Sequence, residues 1–159
     1  MILDERLEFA DATSVAASSG TTTLIGDVIP LTVARNLGTE KSLYLVIQTA
    51  TEIITGGSAG TIYFQLVSDA TSTVAVDDSA TVHLTTPIFV TDDAAANSAA
   101  LNAGGIIAVM QLPGEGNVYE AWLGLLCKVV TTTVTAGAIN AFITTDVKQW
   151  KALTSAVGR

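Results

Sequence analysis

The sequence predicts an all-β protein, an antiparallel β-sandwich of jelly-roll type with about eight strands. Short apolar runs rich in Val, Ile and Thr recur at spacings of roughly 10 to 20 residues, which is typical of strands whose loops cross between two sheets. No run shows a convincing helical periodicity. The chain has 159 residues, 49% hydrophobic and 14% charged, enough to fill the core of a single domain spanning residues 1–159.

The two termini are predicted to lie outside the sandwich. Residues 1–10 carry large apolar side chains among charges, which favours an extended N-terminal arm over a short helix. Residues 146–159 form a C-terminal tail in which a Trp is flanked by two Lys. Aromatic and large aliphatic side chains in such segments commonly contact a partner, so the predicted interface residues are Leu3, Leu7, Phe9 and Trp150.

The first strands are recognised from short apolar runs and from alternation. Thr23–Leu31 is predicted as a short strand that Pro30 restricts to an edge or to its own end. Lys41–Thr49 is continuously apolar from 43 to 47, so we expect it to be covered on both faces. After a glycine-rich loop at 56–60, a strand alternates between two faces, and its core face carries Ile62, Phe64 and Leu66.

The second half of the chain continues the pattern. Pro87 is expected to break a strand that begins near residue 81, and residues 92–105 are expected to form a long loop or a short helix. Two apolar strands follow, Gly105–Leu112 and Tyr119–Val130. The last, uncharged stretch, Val129–Thr145, is interpreted as a hairpin that turns at 135–137.

Charge and composition exclude several classes of partner. The formal net charge of −8 and the scattered Lys and Arg residues argue against nucleic acid, because phosphate binding depends on clustered cations. A membrane-spanning helix needs about 20 consecutive apolar residues, whereas the uncharged stretch is interrupted by Thr, Gly and Asn. The N-terminus lacks the features of a signal peptide, so the chain is expected to be made in the cytoplasm.

We predict no catalytic residues, no metal site and no cofactor. His83 is the single histidine, and Thr81 and Thr85 on its own strand supply neither a nucleophile nor an orienting acid. Cys127 lies in an apolar strand and is interpreted as a buried thiol. The acid pairs at 77–78 and 92–93 could bind calcium in principle, but polar loops commonly use Asp to form turns.

Four pieces of the sequence together resemble a known family. They are LDERLEFADATSV, LIGDVIPLTVARNLGTEKSLYLVIQTAT, YEAWLGLLCKVV and TAGAINAFITTDVKQWKA, of which the last is the most specific. Together they resemble the capsid cement, or decoration, proteins of tailed phages, in particular the family that includes the cement protein of the Bordetella bacteriophage. The middle loops at 55–61, 68–80 and 91–104 lie outside this resemblance.

The resemblance implies a structural virion protein that self-associates, with a dimer favoured. It would sit on the outer surface of an icosahedral head and clamp neighbouring major capsid subunits. The N-terminal arm would then cross to a neighbouring subunit, and deleting residues 1–9 should weaken assembly more than folding.

Two other functions remain open at this stage. A glycan-binding or tail-associated adhesion module of jelly-roll type predicts exposed aromatic and acidic or amide residues around one loop end, and the aromatic-poor loops argue against it. A small hydrolase or isomerase predicts a pocket with a partner for His83.

Overall fold

The predicted all-β antiparallel sandwich is confirmed. The computed structural model describes residues 5–32, 42–92, 97–114 and 118–147. Within these ranges the regular elements are two short 3-10 turns, Glu5–Leu7 and Ala99–Leu101, and ten strands. The strands are β1 (Glu8–Ser14), β2 (Thr21–Leu24), β3 (Ile29–Pro30), β4 (Tyr44–Thr55), β5 (Gly60–Asp69), β6 (Thr81–Thr85), β7 (Phe89–Thr91), β8 (Ile106–Gln111), β9 (Trp122–Val129) and β10 (Val134–Thr144).

The strands form two antiparallel sheets. Sheet 1 has the order β1-β10-β4-β8, and sheet 2 has the order β2-β9-β5-β6, with β3 beside β9 and β7 beside β5. β2 and β3 both pair with β9, and β6 and β7 both pair with β5, so each couple is one interrupted strand. Counted in this way the ten strands become eight. The chain passes repeatedly from one sheet to the other, in agreement with the connectivity of a jelly roll.

The core lies between the sheets and is built from alternate residues. Ile62, Phe64 and Leu66 of β5 are completely buried, as their alternation predicts. They pack in one cluster with residues of β9, β4 and β10. Leu45, Val46 and Ile47 of β4 are all buried, so the prediction that this strand is covered on both faces is also confirmed.

A second, smaller cluster lies on the outer face of sheet 2. Val67 and Leu126 point away from the main core and are covered by Val74 and Ala80, which belong to the segment 70–80 between β5 and β6. Trp122 packs half-buried against this cluster. The long connection is therefore not only a loop, because it buries apolar surface that sheet 2 would otherwise expose.

The predicted hairpin at 135–137 is wrong. Residues 134–144 form one strand, β10, which belongs to sheet 1, whereas the preceding β9 belongs to sheet 2. The chain turns at 130–133 and crosses between the sheets. Gly137 does not make a turn. It has a φ of +137° and lies in an irregular part of the β10–β4 ladder, where an added Cβ would be 2.7 Å from Ile53 Cα. A glycine inside a strand here marks a bulge and a close approach of backbones.

The strand predicted at Thr23–Leu31 is also broken. Residues 25–28 separate β2 from β3, and Gly26 adopts a left-handed φ of +61° there. The break at Pro87 between β6 and β7 was expected and is confirmed. The loop or short helix predicted over 92–105 contains the 3-10 turn Ala99–Leu101.

Part of the predicted N-terminal arm is integrated into the sandwich. Phe9 belongs to β1, is 1% exposed and packs in the main core of its own chain, so it is not a surface residue. Leu7 packs against the same core from the 3-10 turn and is half-buried. Leu3, Trp150 and most of the tail over 146–159 lie outside the described residues. None of the described helical segments is long and apolar enough to cross a membrane.

Candidate functional site: interaction surfaces

Most loop residues at one end of the sandwich are uncharged. We define the neutral end as residues 15–20, 56–59, 97–105 and 130–133, which belong to the connections from β1 to β2, β4 to β5, β7 to β8 and β9 to β10. These loops contain Ala, Gly, Ser, Thr, Asn, Leu and Val and no ionisable side chain. The connection from β7 to β8 begins with Asp92 and Asp93, which precede the neutral end in the chain, and the Asp92 carbonyl accepts the Thr55 backbone N–H at 3.2 Å. The uncharged stretch of the sequence thus lies beside other uncharged segments, which the fold brings to the same end.

Hydrogen bonds connect these loops to one another and to the sheets. The backbone N–H groups of Ala17 and Val134 each donate to the carbonyl of the other residue, at 3.1 and 3.0 Å. The Thr132 hydroxyl donates to the Ala59 carbonyl at 2.9 Å, and the Thr49 hydroxyl donates to the Ala100 carbonyl at 2.7 Å. The neutral end is therefore held in a defined shape, which lowers the entropic cost of binding a partner.

Exposed aliphatic side chains border the neutral end on the outer face of sheet 2. Val90 and Val130 both lie opposite Thr61 of β5, so the three residues form a row across the sheet. Val90 and Val130 are each nearly half exposed, and the neighbouring Ile88 is 64% exposed. This apolar row and the short side chains of the loops together make a surface that loses little rotamer entropy and no ionic hydration when it is covered.

Acidic side chains concentrate at the other end and on the segment 70–80. Asp69 ends β5, and backbone N–H groups of Thr71 and Ala75 donate to its carboxylate and hold its pKa below the usual range. The Ser79 hydroxyl and backbone N–H donate to Asp77 and lower its pKa in the same way. Asp78 forms an ion pair with Lys128 of β9. The predicted turn-forming role of the pair 77–78 agrees with these contacts.

His83 has the polar neighbours that its own strand does not supply. Its Nε2 shares a hydrogen bond of 2.7 Å with Ser68 Oγ on the adjacent β5, and its ring stacks on Tyr119 at a centroid distance of 4.0 Å. Burial lowers the pKa of His83, and the negative charge of Glu120 opposes that shift. Ser68 and Glu120 cannot be identified from the strand of His83 alone, because both contacts cross between chain segments that are separated in sequence.

The geometry of this group is that of a structural network. Ser68 is completely buried, and its Oγ also accepts the backbone N–H of Glu120 at 3.1 Å, so it is not presented to a substrate. The Glu120 carboxylate accepts the Thr81 hydroxyl at 2.7 Å. The Tyr119 hydroxyl donates to the Pro113 carbonyl at 2.8 Å. Together these bonds fasten the chain before β9 to the edge of sheet 2.

A surface concavity of about 280 Å³ lies beside β1. Its lining residues are Glu8, Phe9, Ala10, Asp11, Thr13, Gly26 and Asp27. Within the described ranges, no three or more His, Cys, Asp or Glu side chains come together as a possible metal site. Cys127 is buried in the main core, and burial raises its pKa to about 12, in line with the prediction of an inert thiol.

Comparison with known proteins identifies one family. The family model described as Bbp16 matches residues 9–143, which include every strand from β2 to β9 and most of β1 and β10. No curated protein matches the chain.

Proposed function

Because the chain belongs to the Bbp16 family, whose name is that of a Bordetella phage protein, we propose that it decorates the outside of a phage head and cements neighbouring major capsid subunits. The family match over residues 9–143 carries this proposal, and the resemblance of the four sequence pieces to phage cement proteins points the same way. The proposed location is the outer surface of the virion, after synthesis in the host cytoplasm. The proposed partners are the major capsid protein and other copies of this chain, without nucleic acid, membrane or cofactor.

We assign the contact with the shell to the neutral end. An interface must release water from both surfaces, and ionised groups that lack a partner make this costly. The residues of the neutral end carry no ionised group and mostly short side chains, and hydrogen bonds already hold them in place. The acids around Asp69 and Asp77 would face the solvent. Many modest contacts of this kind, repeated by symmetry, give a firm attachment through avidity.

Co-sedimentation with heads that lack this chain tests the proposal. Saturable binding, with a stoichiometry related to the symmetry of the head, is the expected result for the unmodified protein. Absence of binding at concentrations up to about 100 μM would overturn the decoration function, since affinities weaker than that are not those of a stable complex.

A matched pair of variants tests the assignment of the surface. Ala103 and Ala70 are both exposed, and they lie at the neutral end and on the segment 70–80, respectively. Ala103→Glu places a charge in the proposed contact and should weaken binding to heads about tenfold or more, whereas Ala70→Glu adds the same charge elsewhere and should not. Equal binding by both variants would contradict the assignment to the neutral end without affecting the decoration function.

The proposed role of the N-terminus in assembly needs a shorter deletion than residues 1–9. Removing residues through Phe9 would take a completely buried ring from the core and lower stability by about 3 kcal/mol or more. Deleting residues 1–4 leaves Leu7 and Phe9 in place. If the N-terminus contacts a neighbouring subunit, this variant should unfold like the unmodified protein and bind heads more weakly. Unchanged binding would remove the N-terminus from the interface.

A further inference from the structure

Three of the four sheet edges carry features that oppose pairing with another strand. β1 contains Glu8 and Asp11, has two irregularities in register, and includes Ala12 at a φ of +45°. On sheet 2, β2 and β3 are only four and two residues long, and β3 ends at Pro30. Charges, bulges, short length and proline are the usual ways in which natural proteins protect an edge.

The edge formed by β6 and β7 is protected in a different way. Pro87 interrupts it, and the described loop after β7 folds back onto it. The Ser98 backbone N–H donates to the Val90 carbonyl, and the Val90 N–H donates to Ser98 Oγ, both at 3.1 Å. The outward backbone groups of β7 are therefore already bonded within the chain.

β8 is the exception. It runs over Ile106–Gln111 with the sequence IIAVMQ, which contains no charge, no proline and no glycine. It pairs with β4 on one side only. On its other side no backbone group of β8 is bonded to any residue in the described part of the chain. An uncharged, apolar edge strand of this kind is a template for a further strand.

The alternation of hydrogen bonds between β8 and β4 identifies the backbone groups of β8 that point away from β4. The Leu112 N–H donates to the Leu43 carbonyl at 2.8 Å. Bonded pairs alternate along an antiparallel ladder, so Met110 and Ala108 also bond to β4. The N–H and C=O groups of Val109 and Gln111 must then point to the open edge. Val109 lies near the centre of β8, and its side chain is 38% exposed.

We propose that β8 pairs with β8 of a second copy of this chain, antiparallel and about a twofold axis near Val109. Such a pair joins the two copies of sheet 1, each of four strands, into one continuous sheet. The edge of an antiparallel strand is self-complementary about a twofold axis, because the same donors and acceptors face one another. The inference rests on the self-association proposed above, and it does not depend on binding to the shell.

The lack of charge along β8 fits a second copy of this chain as the occupant, because its own β8 is equally uncharged. Each chain carries a formal net charge of −8, so two copies repel one another unless the contact is free of acids. β8 and the residues of β4 that flank it on the outer face of sheet 1, Tyr44, the buried Val46 and Gln48, have no acidic or basic side chain. At the opposite edge of sheet 1, β1 presents Glu8 and Asp11.

Two variants that place opposite charges at residue 109 test the proposal. In the proposed dimer, the side chains of the two copies at position 109 are neighbours, so Val109→Lys and Val109→Glu should each weaken dimerisation about tenfold or more through like-charge repulsion. An equimolar mixture of the two variants should restore a dimer, because Lys then faces Glu. Val82→Lys is the matched control, since Val82 is similarly exposed, at 46%, on edge strand β6 of sheet 2. Sedimentation velocity measures all four samples beside the unmodified protein.

The outcomes separate this inference from the proposed function. Restoration of the dimer in the mixture requires that both variants fold, so a loss of association cannot be mistaken for a loss of structure. If the unmodified protein is a dimer and Val109→Lys dimerises equally well, the β8 contact is wrong while self-association stands. A monomeric unmodified protein at about 100 μM would overturn both, and binding to heads would still be decided separately by co-sedimentation.

Discussion

The backbone N–H of Asp27 donates to the carbonyl of Phe9 at 2.7 Å, and this bond joins the two sheets at one edge of the sandwich. Phe9 belongs to β1 of sheet 1, whereas Asp27 lies in the break between β2 and β3 of sheet 2. The contact depends on Gly26, at which an added Cβ would lie 1.9 Å from the same carbonyl oxygen. The break in the strand is thus the point at which the edges of the two sheets meet.

Gly26→Ala should therefore destabilise the fold strongly. The left-handed backbone of Gly26 already disfavours any Cβ, and the clash with the Phe9 carbonyl forces the backbone to move. We expect a loss of more than about 3 kcal/mol in the free energy of unfolding. Gly20→Ala is the control, because Gly20 has a similar φ of +71° with nothing near the new Cβ, and its cost should be about 1 to 2 kcal/mol. Equal losses in denaturant titrations would contradict the close contact.

The stability of the fold should decrease as pH decreases through the range in which His83 gains a proton. Burial lowers the pKa of His83 in the folded state, so between that pKa and the ordinary value of 6.5 the unfolded chain binds more protons than the folded chain. Folding is then weakened as pH falls below 6.5, and the loss levels off below the folded pKa. His83→Gln should unfold with less dependence on pH between about 7.5 and 5.5. An NMR titration of the single histidine that returned a raised pKa would contradict this.

Ser68→Ala should cost more than the loss of one ordinary surface hydrogen bond. The buried hydroxyl bonds both His83 and the backbone N–H of Glu120, and its removal leaves these two groups without that partner. We expect a loss of about 1 to 3 kcal/mol in unfolding free energy. Thr85→Ala removes a hydroxyl that accepts a bond from Gln65 at an exposed position and should cost less than about 1 kcal/mol. A smaller loss for Ser68→Ala than for Thr85→Ala would show that the network does not support the fold.

Cys127 should react with thiol reagents only when the structure opens. The side chain is buried in the main core and its pKa is raised to about 12, so almost no reactive thiolate exists near neutral pH. Labelling by Ellman's reagent should be slow in buffer and rapid in denaturant, with one thiol per chain in accordance with the single Cys. Rapid labelling in buffer, at a rate independent of added denaturant, would place Cys127 at the surface instead.

Local patterns in the sequence predict the strands well where the alternation is regular. The buried face of β5 and the coverage of β4 follow from residue order alone, because alternate side chains of a strand point to opposite faces. The misassigned hairpin shows where this reasoning ends. The sequence TAG over 135–137 has the composition of a turn, yet it lies within a strand because Gly137 accommodates the close backbone of Ile53 across the ladder.

The candidate surfaces were predictable only in part. Leu3, Leu7, Phe9 and Trp150 were chosen as large apolar residues in terminal segments, yet Phe9 fills the core of its own chain. Nothing within β1 distinguishes a side chain that packs inward on its own sandwich from one that packs on a neighbour. The sequence IIAVMQ likewise does not predict that one edge of β8 is open, because the same residues would suit a strand paired on both sides.

The sequence by itself determined the class of the fold, the inward faces of the long strands, the break at Pro87 and the burial of Cys127. These properties depend on local stereochemistry and on the hydrophobic pattern, which residue order contains. Tertiary structure alone decided that β9 and β10 belong to different sheets, that Ser68 meets His83, and that the uncharged loops share one end. These depend on which strands pair, and pairing is decided by the packing free energy of the whole sandwich between residues far apart in the chain.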